Sequence, residues 1–184
     1  MSNPRKTHPV EVAGIRRELP LFEVAPGVWI AVLNILGDTE FVQACARELA
    51  AKLDPDKYDV LVTAEAKSIP LIHALSVETN KPYVVLRKYY KPYMGVAITA
   101  ETLSITTGKP QMLYLDEKDH ELIKEKRVAL LDDVISTGST QKGMRSVIEK
   151  AGAKVTVEAA IFTEGGPAKW AHIVSLGHLP VFTD

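Results

Sequence analysis

Four short apolar runs, YDVLVT (58–63), YVVLR (83–87), RVALL (127–131) and KVTVEAAIF (154–162), punctuate the chain and are separated by stretches with helical spacing. Runs this apolar have no polar face to offer water, so they fit strands at the centre of a parallel sheet covered on both sides. Parallel neighbours need crossovers, and the intervening segments supply them. Asp38 or Thr39 caps a helix whose apolar residues Phe41, Cys45, Leu49 and Leu53 repeat at helical intervals until Asp54-Pro55 ends it. Further helices are predicted near Ile69 to Thr79, Glu117 to Lys124 and Ser139 to Ala151, the last closed by Gly152. The alternation predicts an α/β fold in one domain, a size that 184 residues with 46% hydrophobic content can support.

Two flanks break the alternation. LPLFEVAPGVWIAVLN reads as two strands joined by an Ala25-Pro26-Gly27 turn, and after Glu164-Gly165-Gly166-Pro167 the segment IVSLGHLPVF holds only short apolar pieces. Residues 1–37 and 163–184 are therefore expected to form a small hood over a core of residues 38–162. Trp29 and Trp170 are assigned to packing in that hood. Between Lys88 and Met112, polar and β-branched residues with little apolar periodicity suggest an extended hairpin acting as a flexible lid.

Composition narrows the function. Twenty-two basic residues against 23 acidic give a net charge of -1, so neither nucleic acid nor a membrane surface is an expected partner, and any anion must be held locally. The single cysteine, Cys45, excludes an internal disulfide and lies in an apolar helical stretch, where it reads as a packing residue. The five histidines have no ligand spacing. The N-terminus has no signal-peptide core and no run is long enough to span a bilayer, so a cytoplasmic location is expected.

The chemistry concentrates in VALLDDVISTGST, residues 128–140. An apolar strand delivers Asp132 and Asp133 at its C-terminal end, where α/β sheets bind ligands. Ser136, Thr137, Gly138, Ser139 and Thr140 follow and run into a helix, so backbone N–H groups, hydroxyls and the helix N-terminus converge on one point suited to a phosphate. The two acids cannot face that phosphate and are left for a neutral polyol or a cation. A ribose 5-phosphate satisfies both halves.

This segment resembles the phosphoribosyl pyrophosphate (PRPP) signature of the type I phosphoribosyltransferases, and the resemblance covers most of the chain. It implies a parallel-sheet core, a homodimer, Mg2+ arriving mainly with PRPP and within reach of Asp132 and Asp133, and these two acids with Lys109 as catalytic residues. The loop Glu65, Ala66, Lys67 and Ser68 after the first core strand matches the family's pyrophosphate loop, with Ser68 where a glycine is usual. Arg87, Lys88 and Lys91 match the R-K-x-x-K cluster of its purine members. Displacing pyrophosphate from C1 of ribose passes through an oxocarbenium-like sugar, so cations are needed for the leaving group and carboxylates for the sugar.

Within the family the chain is most similar to the adenine and xanthine enzymes. Lys is missing after the last core strand, where Phe162-Thr163-Glu164-Gly165 stands, and a donor-only lysine would favour a 6-oxopurine, so adenine is the expected base ahead of xanthine, guanine or hypoxanthine. The usual Glu and Tyr of the adenine-type lid are also missing, Thr102 to Gly108 standing in their place. Asn34, Val134 and Ile135 are the candidate base contacts. A PRPP-sensing regulator is the competing expectation, and pyrimidine transfer ranks below both.

Overall fold

The computed structural model describes residues 5–103 and 110–183. A five-stranded parallel sheet is its centre, in the order β10 (Val174–Leu179), β9 (Lys154–Glu164), β8 (Arg127–Ile135), β4 (Val60–Ala64), β5 (Tyr83–Leu86). All five residues of β4 are buried, as its apolar run requires of a central strand. Helices α1 (Thr39–Lys52) and α2 (Ile69–Thr79) cover one face, while α4 (Ser139–Lys150) covers the other. The helix read at 117–124 is shorter, a 3-10 turn followed by α3 (His120–Ile123). Asp38 caps α1 by accepting from the Phe41 amide, and Cys45 is fully buried, its thiol pushed up to about 12 by that burial.

The hood is a second sheet of four antiparallel strands, β1 (Thr7–Val12), β2 (Ile15–Ala25), β3 (Val28–Ala31) and β11 (Val181–Thr183). It takes less from the C-terminus than the sequence suggested. Residues 174–179 extend the core sheet by pairing with β9, and only β11 crosses to β3. The hood is fixed to α1 by Arg17, whose guanidinium donates to both oxygens of Asp38, at 2.7 and 2.9 Å, and to Glu40 at 2.8 Å. This fork holds the Asp38 carboxyl below its ordinary range.

The predicted hairpin is β6 (Ile98–Leu103) paired with β7 (Pro110–Leu115). Its body is anchored rather than free: Ala100, Thr102, Leu113 and Leu115 are buried against α4 and the sheet. Gly143 makes this possible, because a Cβ there would stand 2.2 Å from Thr102 Cγ2. Backbone bonds between Arg87 and Tyr114 tie β7 to the end of β5. Ser104 to Lys109 lie outside the described residues, and with them the candidate Lys109. No helix among the described residues is long and apolar enough to cross a membrane.

Candidate functional site

β8 continues to Ile135, four residues beyond the predicted end, so Asp132 and Asp133 are strand residues near the C-terminal end of the sheet's central strand. Polar side chains are tolerated in the strand because neighbouring elements bind them. Asp132 accepts from the Ser68 hydroxyl at 3.0 Å, the Gln141 amide at 3.1 Å and the Asp133 backbone N–H at 2.9 Å. Asp133 also accepts from Ser68, at 3.3 Å, and its Oδ2 lies 2.8 Å from Lys67 Nζ. That buried Oδ2 makes no aligned hydrogen bond. Two adjoining carboxylates in a dry strand end repel a second charge, and burial followed by the charge of Asp133 pushes Asp132 up to about 7.

The turn after β8 has the form its sequence demanded. Gly138 takes φ 81°, and a Cβ on it would lie 2.8 Å from Trp170 Cη2, so both backbone and space require glycine. Thr137 Oγ1 accepts from the Ser139 amide at 3.3 Å and lies 3.0 Å from Ser139 Oγ. Ser139 opens α4, with Thr140 in its first turn, which aims amide donors at the loop. Ser136, at the mouth, turns its hydroxyl away to donate to Glu164.

On the other flank of β4, Glu65 accepts from Arg87 Nε and from the Lys88 amide, each at 2.6 Å. Glu65 thus serves as the anchor of the basic cluster, since a carboxylate so engaged cannot itself meet pyrophosphate. The peptide bond between Glu65 and Ala66 is cis. Lys67 reaches both Asp133 and the Leu33 carbonyl, the latter at 3.3 Å. Ser68 is fully buried under the acids, while Ala66 and Lys91 are exposed and Lys88 half-buried. The structure therefore links Arg87, Glu65, Lys67, Ser68, Asp133 and Asp132 along the ends of three adjacent strands.

The three candidate base contacts are not equivalent. Ile135 is buried with Ala160, Trp170 and Ile173, and Val134 is half-buried against the larger core. Asn34 is exposed and its Oδ1 accepts from the Leu36 amide at 3.2 Å, the turn bond its place before Gly37-Asp38 suggests. Trp170 belongs under the phosphate loop, not in the hood, and its indole N–H donates to the Glu164 carbonyl at 2.8 Å. Gln141, Glu164 and Lys169 were not picked out as site residues from sequence. Lys169 Nζ reaches the Thr137 carbonyl at 3.4 Å and lies 4.2 Å above the Trp170 ring. Gln141 could have been found from its place in the first turn after the loop; Lys169 had no signal outside its fold.

The parallel α/β sheet thus carries an acid pair, a Ser/Thr/Gly loop entering a helix and a basic cluster on adjacent strand ends. Residues 32–175 match the family model described as a phosphoribosyl transferase domain, and the chain belongs to that family. A hypoxanthine/guanine phosphoribosyltransferase of Methanotorris igneus is 32% identical over 126 residues, covering 68% of this chain and 65% of that protein. Its counterpart in Methanocella paludicola is 38% identical over 119 residues, 65% and 56% of the two chains. The adenine phosphoribosyltransferase of Thermosipho africanus is 29% identical over 141 residues, 76% and 79%. The match thus spans less than two thirds of both hypoxanthine/guanine relatives. Among solved structures, the adenine phosphoribosyltransferase of Thermoanaerobacter pseudethanolicus superposes with a TM-score of 0.65 at 19% identity, over 94% and 95% of the chains. That of Giardia lamblia, complexed with 9-deazaadenine, gives 0.67 at 17%, over 94% and 93%. These likenesses establish the type I phosphoribosyltransferase fold.

Proposed function

We propose that this chain transfers ribose 5-phosphate from PRPP to a purine, adenine ahead of the 6-oxopurines, releasing pyrophosphate and a nucleoside monophosphate in cytoplasmic purine salvage. The observation that carries the reading is the continuous row from Arg87 to Asp132, which sets a cationic cluster directly beside a ribose-directed acid pair. Relatives of the chain carry both hypoxanthine/guanine and adenine names, and the absence of a lysine from Phe162-Thr163-Glu164-Gly165, at the end of β9, is what favours adenine.

In this reading Ser136 to Thr140 hold the 5-phosphate, Asp132 and Asp133 take the ribose hydroxyls, and Lys67, Arg87, Lys88 and Lys91 face the pyrophosphate. The C1–O bond breaks with its electron pair on pyrophosphate, the purine N9 lone pair forms the new C1–N bond, and the N9 proton leaves to solvent. The carboxylates stabilise the positive sugar as it forms, a preorganised electrostatic effect worth about 3–4 kcal/mol per well-placed group. Asp132 and Asp133 are the residues that would reach Mg2+, Asp133 by exchanging its 2.8 Å ion pair with Lys67 for the metal. When bound with PRPP, Mg2+ neutralises the charge of the leaving pyrophosphate. Val134, with Ile135 buried behind it, supplies the apolar wall against the base and Asn34 its rim, and the catalytic role that the resemblance implies for Lys109 belongs to the same reading.

A homodimer completes the proposal. Tyr83, Tyr89, Tyr90, Tyr93 and Val96 are all exposed between residues 83 and 96, next to the basic cluster, and a patch of this kind suits a second copy. Sedimentation of the purified protein tests that part, a monomer at micromolar concentration rejecting it. For the activity, the protein is incubated with PRPP, Mg2+ and each purine separately, and nucleotide and pyrophosphate are quantified. Equal amounts of AMP and pyrophosphate from adenine are expected. PRPP binding with no product from any purine would convert the chain to a PRPP sensor.

A further inference from the structure

The central sheet is not laddered evenly where the site stands. β4 and β5 pair up to Ala64 and Leu86, and β8 and β9 up to Ile135 and Thr163, but between β4 and β8 the ladder stops at Val62 and Leu130. The loop of residues 65–68 is thus carried by β4 and β5, and the acid pair by β8 and β9. A seam without strand pairing runs between them. The hydrogen bonds and ion pairs that cross it among the described residues come from side chains: Thr63 Oγ1 donates to the Leu131 carbonyl at 2.7 Å, the Ser68 hydroxyl reaches Oδ1 of Asp132 at 3.0 Å and of Asp133 at 3.3 Å, and Lys67 Nζ lies 2.8 Å from Asp133 Oδ2.

Ser68 joins the loop itself to the acids. It is 1% exposed and stands at the N-cap of α2, where a serine hydroxyl ordinarily accepts from an amide of the first turn, yet it makes no such bond. Its hydroxyl is turned to the acids instead, while its carbonyl accepts from the Ile72 amide at 2.9 Å and keeps its backbone in the helix start. One hydroxyl has one proton to donate, so it lies between the two carboxylates and serves one oxygen at a time. With its backbone in the loop and its hydroxyl on the acids, Ser68 ties the position of each to the other.

We propose, resting on the transferase reading above, that Ser68 is a positioning residue that couples the two halves of the site, so that pyrophosphate and ribose 5-phosphate bind with positive cooperativity. Pyrophosphate draws Lys67 from Asp133 and shifts the loop that carries Ser68, while sugar hydroxyls donate to the same carboxylates that Ser68 serves. Either ligand therefore uses part of its binding energy to part the seam, and the second finds it already parted. The coupling is reciprocal. PRPP, which spans both halves, gains from it, and the nucleotide product is held less tightly once pyrophosphate has gone.

The test is calorimetric. With MgCl2 present, pyrophosphate is titrated into the full chain alone and into the chain saturated with ribose 5-phosphate, for wild type, S68A and S68C, and urea unfolding shows that each is folded. The ratio of the two Kd values measures the coupling, and comparing it between proteins cancels the direct repulsion of the two anions. The wild-type ratio is expected to exceed that of S68A roughly 5-fold or more, with S68C, a poorer donor of similar size, between them. Taken singly, each ligand should bind S68A at least as tightly as wild type, because the seam no longer has to be parted. Equal ratios in all three proteins, or a loss of both single affinities with the ratio unchanged, would overturn the proposal and leave Ser68 a support for the acids. Should S68A not fold, S68C decides, a ratio equal to that of wild type overturning the coupling. A wild type that binds neither ligand overturns the transferase reading and the coupling with it, whereas binding of both with equal ratios overturns the coupling alone.

Discussion

The proposed ribose half of the site, residues 132–140, is one continuous stretch, while the proposed pyrophosphate half gathers Lys67, Glu65 and Arg87 from two loops and borrows the Leu33 carbonyl from a third. The first is organised by backbone: a strand end, a left-handed glycine and a helix start place its donors whatever the rest of the chain does. The second is organised by ion pairs that occupy its own cations, Arg87 by Glu65 and Lys67 by Asp133. A backbone site is ready before ligand arrives. A side-chain site must exchange internal partners for external ones, and its affinity is the difference between the two.

Replacing the acid pair should have the largest effect. Asp132→Asn with Asp133→Asn is expected to lower kcat by roughly a thousandfold or more while PRPP affinity changes far less, as for groups that act in the transition state. Steady-state rates beside calorimetric Kd values check this, and unchanged turnover would sink the assignment. Next comes Gly138→Ala, which forces a left-handed alanine against Trp170 at 2.8 Å. A stability loss of about 1–3 kcal/mol is expected, read by urea unfolding.

Glu65→Gln is the smaller experiment on the other half. It leaves Arg87 without its counter-ion but frees it for pyrophosphate, so the variant should bind pyrophosphate no worse than within a few fold while losing about 1 kcal/mol of stability. The smallest effect is on pH dependence. Asp132 is raised from 3.8 to about 7, so the folded state holds its proton more tightly than the unfolded chain. Its contribution is complete below 3.8 and is lost as pH rises through about 7. Thermal unfolding between those limits should show stability declining with pH in wild type and a flatter profile in Asp132→Asn.

The same contrast explains what could be read in advance. VALLDDVISTGST carries its geometry within itself, because Gly138 and the helix start are local decisions. The role of Glu65 was not legible, since its distance from Arg87 depends on Ala64 pairing with Leu86 across two strands. Trp170 was misplaced for a similar reason: nothing in PAKWAH indicates that the segment folds back under a glycine 32 residues earlier. β10 was taken for hood because VSLGHL is short and broken by Gly177, although its partner is the core strand β9. β1 went unread, its alternation of Val10 and Val12 with polar residues being brief and its partner strand supplying most of its definition. β8 and β9 run past their predicted ends, to Ile135 and Glu164, because the polar residues there bind one another across elements.

The division into two halves is tested most directly by titrating ribose 5-phosphate and pyrophosphate separately into wild type, Gly138→Ala and Arg87→Ala. Gly138→Ala should weaken ribose 5-phosphate by roughly 10-fold or more and spare pyrophosphate, and Arg87→Ala should do the reverse, each 10-fold being about 1.4 kcal/mol. Equal losses of both ligands in both variants would contradict a site built from a ribose half and a pyrophosphate half.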